Sequence, residues 1–391
     1  MDDEPVMFVH FTIRSLFMKR LFPGLLFLLL NASAILYGEE PGTPDRTPFT
    51  FDLEFDWIGL GVNVGYRGFS LLPSLDTIFR VILLGCYDRP GFFRTPTGEP
   101  YDGNLPGFDP ASSPYAGRLI LRGALEADQG LLWNPRDQTN LLECFLSYKT
   151  RFEQSFDDPA VNELLFASAC ADRERIFQNS IMLGLEWKDV NRRHPHRVLS
   201  GTQAEVSLEW GPRFLFNAPA GNADFLRLNL TARAFFPLFD LDPGNALNVF
   251  SAYAGFFAAV DWATGGSIPL NVRGHFGGRT PRKGLGFAVR GLEDGRLDAP
   301  FKAVANAEVR FSLPALIAPS IIPGFLVFAD AGYFDLVDVP GSGFVFSAGA
   351  GLTLSLFDAL NLCFTTQFLL NRTKVTGDVW TPVYFEFIWH F

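Results

Sequence analysis

At the end of the chain Val383, Phe385, Phe387, Trp389 and Phe391 alternate with Tyr384, Glu386, Ile388 and His390. The same period of two appears after residue 48, where Phe49, Phe51, Leu53, Phe55 and Trp57 alternate with Thr50, Asp52, Glu54 and Asp56. Successive side chains of a strand point to opposite faces, so each segment predicts a strand with one face apolar and the other mixed or polar. After Gly59 the apolar parity flips to Leu60, Val62, Val64 and Tyr66, which requires a turn or a bulge. Further strands are predicted at 76–87, 118–127, 141–152, 178–187, 203–215, 225–236, 246–260, 303–313, 324–334, 344–356, 359–370 and 381–391; with 49–57 and 60–70 they number fourteen. At ~10–13 residues, each has the length of a tilted strand that crosses a bilayer. Long Gly/Pro/Asp-rich intervals at 88–117 and 261–302 contrast with connections of a few residues elsewhere, the asymmetry of a barrel with long loops on one side and short turns on the other. A soluble β-sandwich also alternates. A sandwich chain of this length would divide into several domains joined by linkers, and no linker or shift of composition is visible.

Composition narrows this further. The chain has 391 residues, 48% hydrophobic, with 42 Phe, only 19% charged residues and a mean hydropathy of +0.14. Such a chain has ample apolar surface to bury, so disorder is excluded. A helical membrane protein is disfavoured because, past the first fifty residues, no uninterrupted apolar run reaches the ~18 residues a spanning helix requires. The longest candidate, 313–328, contains Pro314, Pro319 and Pro323, and proline breaks helices. A chain apolar enough for lipid but written in short pieces fits an all-β, transmembrane antiparallel barrel, because only closed sheets and helices satisfy their backbone in hydrocarbon.

The start of the chain points to export. Met18-Lys19-Arg20 precedes an apolar run from Leu21 to Leu30 and then Ala32-Ser33-Ala34, the order of a secretory signal peptide. Residues 1–34 are assigned to it, 35–48 to a short periplasmic extension and 49–391 to the barrel. The acidic Met1-Asp2-Asp3-Glu4 is out of character for such a peptide, so Met18 is taken as the true start. A net charge of −10 argues against a nucleic-acid partner. Of the 32 basic residues six are Lys, which leaves 26 Arg, the cation suited to forked pairing in a crowded lumen. Cys86, Cys144, Cys170 and Cys363 lie far apart without a CxxC pair and read as separate thiols. Catalytic and cofactor signatures are lacking: His194-Pro195-His196 has no third ligand, and Gly341-Ser342-Gly343 and Gly349-Ala350-Gly351 do not complete a dinucleotide fingerprint. Neither an enzyme nor a cofactor is expected.

One group of fragments is ordered rather than scattered. Val289-Arg290-Gly291-Leu292 lies in the longest loop. Asn306-Ala307-Glu308-Val309-Arg310-Phe311 follows, then Phe328-Ala329-Asp330-Ala331-Gly332, then Ser347-Ala348-Gly349-Ala350-Gly351-Leu352, and the chain ends on Phe391. By parity Glu308 and Asp330 lie on the faces opposite Val309 and Val327, so both point into the lumen if the apolar faces meet lipid. Taken alone, two such carboxylates read better as solvated lumen charges. The order of the fragments resembles the bacterial surface antigen family, the BamA-like superfamily of outer-membrane assembly factors and polypeptide transporters. Upstream, Leu183-Gly184-Leu185-Glu186-Trp187 with Gly201, and Gly265-Gly266-Ser267-Ile268-Pro269, extend the resemblance over about 181–391. Leu292 departs from it, standing where the family has Phe or Tyr.

The resemblance implies a barrel of sixteen strands in the bacterial outer membrane, with two strands hidden in 88–175. It implies that the loop bearing Arg290 and Gly291 folds inward, where a forked, charge-assisted pair joins Arg290 to Glu308 and Asp330. It also implies a C-terminal assembly signal at Phe387, Trp389 and Phe391 and a seam between 49–57 and 381–391 that opens to pair with a substrate strand. The implied partners are outer-membrane lipid and unfolded outer-membrane or secreted polypeptides. Residues 35–48 leave no room for a POTRA domain of roughly 75 residues, so the expectation is a barrel-only member assisted by a separate periplasmic partner. A passive channel, or a structural surface antigen, is the alternative.

Overall fold

The computed structural model describes residues 49–389 except 57–58, 73–74, 89–92, 95–99, 102–117, 135–138, 156–174, 194–197, 219–222, 242–249, 280–284, 287, 293–298, 317–320, 336–341, 357–359 and 371–379. Residues 1–48, which hold the expected signal peptide and extension, lie outside it, as does Phe391. Strands β1(Phe49–Asp56), β2(Gly59–Phe69) and β3(Thr77–Asp88) are followed by the two-residue pieces β4(Phe93–Arg94) and β5(Pro100–Tyr101). Then come β6(Arg118–Asn134), β7(Thr139–Ser155), β8(Arg175–Arg193), β9(Val198–Gly211), β10(Asp224–Asp240) and β11(Ser251–Ser267). A short helix α1(Leu270–Gly274) precedes β12(Phe301–Ser312), β13(Ile321–Asp335), β14(Ser342–Leu356), β15(Leu360–Leu369) and β16(Trp380–Trp389).

Fourteen of these form one antiparallel sheet in chain order from β1 to β16. The parity flip at Gly59 is a hairpin, with Asp56 opposite Gly59. The sixteen strands implied by the family resemblance become fourteen in the sheet among the described residues. Among the described residues of 88–175, the only strands outside that sheet, β4 and β5, pair with each other and are too short to cross a bilayer. Central strands outrun the apolar pattern: β8 continues through Lys188 to Arg193, and β6 to Asn134. Their polar ends keep the ladder going past the part that apolar periodicity marks.

Burial is inverted relative to a water-soluble protein. On β8, Leu183 is 54% exposed while Glu186 is 2% exposed; on β6, Leu125 is 57% exposed and Asp128 fully buried. Leu83, Leu146, Phe256, Phe344 and Leu352 continue the outer face, whereas Glu143, Glu205, Arg227, Asp261, Lys302 and Asp330 are buried on the inner one. A sheet face of exposed apolar side chains over a polar interior is the arrangement of a transmembrane barrel. Among the described residues no helix is long and apolar enough to cross a membrane. Among the described residues no ladder joins β1 to β16, which stand at the two ends of the sheet order.

Candidate functional site

The described residues of the connection between β11 and β12, 268–279, 285–286, 288–292 and 299–300, fold against the inner face of the barrel. Its root is fixed by a buried cation. Lys302 Nζ donates to the carbonyls of Val272, Arg273 and Ala299, each at 3.0 Å, which uses all three of its protons and caps α1. Asp261 lies 3.4 Å from the same ammonium and accepts from Arg227 at 2.9, 3.1 and 2.6 Å. Arg227 also donates to the His275 carbonyl, and the Gly277 N–H donates to Asp261 at 2.9 Å. These contacts hold the loop's entry against β10, β11 and β12.

At the loop's tip Arg290 is 7% exposed. Its Nε and Nη2 donate to the two oxygens of Asp330 at 2.8 and 2.7 Å, its Nη1 to Glu308 Oε2 at 2.8 Å, and its backbone N–H to Asp330 at 2.9 Å. Glu308 lies opposite Phe328 and Asn306 opposite Asp330, so the two carboxylates are diagonal neighbours on adjacent strands, a spacing one guanidinium can bridge. Arg310 neutralises the remaining Glu308 oxygen at 3.0 Å. The Phe328 ring lies 3.7 Å beneath the guanidinium carbon, a cation–π contact. Gly349 makes room for that ring, since a Cβ there would come within 2.5 Å of it. Gly291 follows with φ 89°, a left-handed turn closed by the Leu292 N–H on the Val289 carbonyl at 3.0 Å. Burial alone would lower the Arg290 pKa, but the hydrogen bonds and charge of Asp330, with the charge of Glu308, raise it above the ordinary value. The guanidinium stays charged at any physiological pH.

Between root and tip the loop packs an apolar cluster inside the lumen. Leu285, Val289 and Ala299 meet Phe257, Ala259, Val304, Phe334, Val345 and Leu369, with Phe276, Ala288 and Leu292 alongside. Midway, Arg279 reaches the opposite wall. Its side chain donates to Asp128 on β6, Glu143 on β7 and Glu186 on β8, and its backbone N–H to Glu205 on β9.

Arg290, Gly291, Glu308 and Asp330 therefore lie together in the structure. Phe387 and Trp389 lie on β16, where the backbone alone is described, and Phe391 lies outside the described residues. Arg279, Arg227, Asp261 and Lys302 were not singled out from the sequence. Two signals pointed to them: the Gly277-Gly278-Arg279 run, and the parity that puts Lys302 on the same face as Asn306 and Glu308. Among the described residues no cluster of His, Cys, Asp and Glu is arranged to hold a metal.

No family model matches the chain, and no curated protein matches it in sequence. Several solved structures match in fold. CdiB from Escherichia coli is 14% identical, with a TM-score of 0.51 over 84% of this chain and 52% of that one. BamA from Haemophilus ducreyi lacking POTRA domains 1-3 is 11% identical, with a TM-score of 0.49 over 86% and 64%. CdiB from Acinetobacter baumannii is 13% identical, with a TM-score of 0.47 over 84% and 50%. The chain thus spans between half and two thirds of these structures. The CdiB likeness from Escherichia coli establishes the barrel fold and nothing finer.

Proposed function

We propose that this chain is an integral outer-membrane barrel that assists the insertion or translocation of polypeptides. Its inward-folded loop, locked at the tip by Arg290 on Glu308 and Asp330, braces the lumen, and the seam between β1 and β16 is where a client strand is received. The observation that carries the reading is the loop lock: a guanidinium paired with two carboxylates on neighbouring strands, in the motif order of the bacterial surface antigen family. The barrel likeness to CdiB from Escherichia coli supports the same kind of protein. At the two ends of the sheet order, β1 and β16 have backbone donors and acceptors to template an added strand. Unfolded outer-membrane or secreted polypeptides are the clients on this reading, and a separate periplasmic protein delivers them.

The test is reconstitution of the full chain in vesicles with an unfolded outer-membrane barrel as client. Faster client insertion than in empty vesicles, and cross-linking of the client to cysteines placed on β1 or β16, is the expected result. Large steady conductance steps in planar bilayers with no client effect would overturn it in favour of a passive channel.

A further inference from the structure

The contacts of Arg279 have the form of a binding site. We propose that Asp128, Glu143 and Glu186, with the ring of Phe145, form a guanidinium receptor in the lumen wall, and that Arg279 occupies it as a second anchor holding the loop across the barrel. All three guanidinium nitrogens donate: Nη1 to Asp128, Nη2 to Glu143 and, at 2.7 Å, to Glu186, and Nε to Glu186 at 2.9 Å. The guanidinium carbon stands 4.2 Å over the Phe145 ring. In-plane carboxylates and one covered face match the planar fork of arginine; an ammonium would use neither fully.

The receptor is held in shape from behind, independently of the loop. Arg80 pairs with Asp128, Lys188 with Glu143 at 2.9 Å and Glu186 at 3.1 Å, and the Gln203 amide donates to Glu186 at 2.8 Å. All three carboxylates are at least nine-tenths buried, so they face the incoming group already desolvated and oriented. The loop in turn is cut to reach them. Gly278 has φ 81°, and a Cβ there would lie 2.5 Å from Glu205 and 2.6 Å from Asn229. Only a residue without a side chain lets the backbone press this closely on β9 and β10, and that approach brings the Arg279 N–H to both oxygens of Glu205 at 3.0 Å.

The consequence is a strap fixed at two walls. Arg290 fastens the tip to β12 and β13, Arg279 fastens the middle to β6 through β9, and the apolar cluster fills the space between. Releasing the tip alone leaves the middle seated, so the lumen opens fully only when both guanidinium groups are withdrawn. This concerns the state of the lumen and holds whether or not polypeptides are the cargo.

The test uses the full chain in planar bilayers and in vesicles. Arg279→Gly is expected to raise conductance several-fold. Low-millimolar guanidinium chloride, but not sodium chloride at the same ionic strength, is expected to restore part of its lost thermal stability, because a free guanidinium fills the receptor by mass action. Wild type, whose receptor is occupied, gains nothing from either salt. Arg279→Lys, which keeps the charge, guards against a glycine variant that fails to fold; it is expected to assemble with raised conductance. Conductance of Arg279→Lys equal to wild type, or equal stabilisation of Arg279→Gly by guanidinium and sodium, would overturn the proposal.

Discussion

The two arginines of the lumen loop solve one problem at different ranges. Arg290 pairs with carboxylates 18 and 40 residues away, on the two strands that follow the loop. Arg279 pairs with carboxylates 93, 136 and 151 residues away, on three strands of the opposite wall. The tip contact involves only β12 and β13 of the wall. The middle contact needs β6, β7 and β8 in register as well, and such long-range closure is entropically the later event. Their surroundings differ too. Glu308 and Asp330 have few other cations, namely Arg310 on Glu308, whereas the carboxylates around Arg279 keep Arg80 and Lys188 when it is removed. The tip is a lock with little backing; the middle is a seat in a network.

The largest effect is therefore expected at the tip. Arg290→Ala strands the buried carboxylate of Asp330, leaves Glu308 to Arg310 alone, and should destabilise the barrel by about 3–5 kcal/mol, the range for breaking one side of a buried ion pair. Urea unfolding of the barrel in vesicles measures it. Arg290→Glu should do at least as much harm, and adding Asp330→Arg should return part of the loss. If the double variant is no better than either single change, the pairing carries no coupling energy and the tip lock is not a lock. At the middle, Arg279→Gln should cost less, about 1–3 kcal/mol, because its carboxylates retain other donors. Equal losses at the two sites would erase the contrast between lock and seat.

This contrast also explains what could be read from the chain. The strand pattern was legible because lipid-facing positions demand apolar side chains at every second residue, as in Leu183, Leu185 and Trp187. Strand ends were less legible because segments such as Lys188 to Arg193 lie beyond the apolar pattern and still pair. The tip could be suspected because Arg290, Glu308 and Asp330 sit in ordered fragments close in sequence. Arg279 left no comparable trace: its partners are single acids inside β6, β7 and β8, indistinguishable in sequence from any solvated lumen charge. Only the register of those strands, Asp128 opposite Phe145 and Glu143 opposite Glu186, brings them within one two-residue step of each other.

Backbone geometry gives a finer test of the same contrast. Gly278→Ala forces a Cβ against Glu205 and Asn229 in a left-handed conformation, and should cost about 1–3 kcal/mol. Gly291→Ala meets the Gln367 Cβ at 3.3 Å with φ 89° and should cost about 1 kcal/mol. The order reverses that of the arginines. At the middle the backbone itself is pressed on the wall, while at the tip the long side chain does the reaching. A larger loss at Gly291 than at Gly278 would show that the tip, too, depends on close backbone approach.

The smallest effect is expected at Leu292, where the family resemblance calls for Phe or Tyr. In this chain the aromatic face beside the tip is supplied from the barrel wall, by Phe328 beneath Arg290, and Leu292 packs at the margin of the apolar cluster. An added ring at 292 would therefore duplicate a contact already made, and Leu292→Phe should shift stability by no more than about 0.5 kcal/mol. Phe328→Leu in the wild type removes the cation–π contact and part of the packing, for a loss of about 1–2 kcal/mol. The decisive measurement is the double variant. If the ring at 328 substitutes for one at 292, Leu292→Phe should soften the loss from Phe328→Leu by about 0.5 kcal/mol or more. Strict additivity would mean that the two positions serve separate ends and that the tip simply lacks its second aromatic.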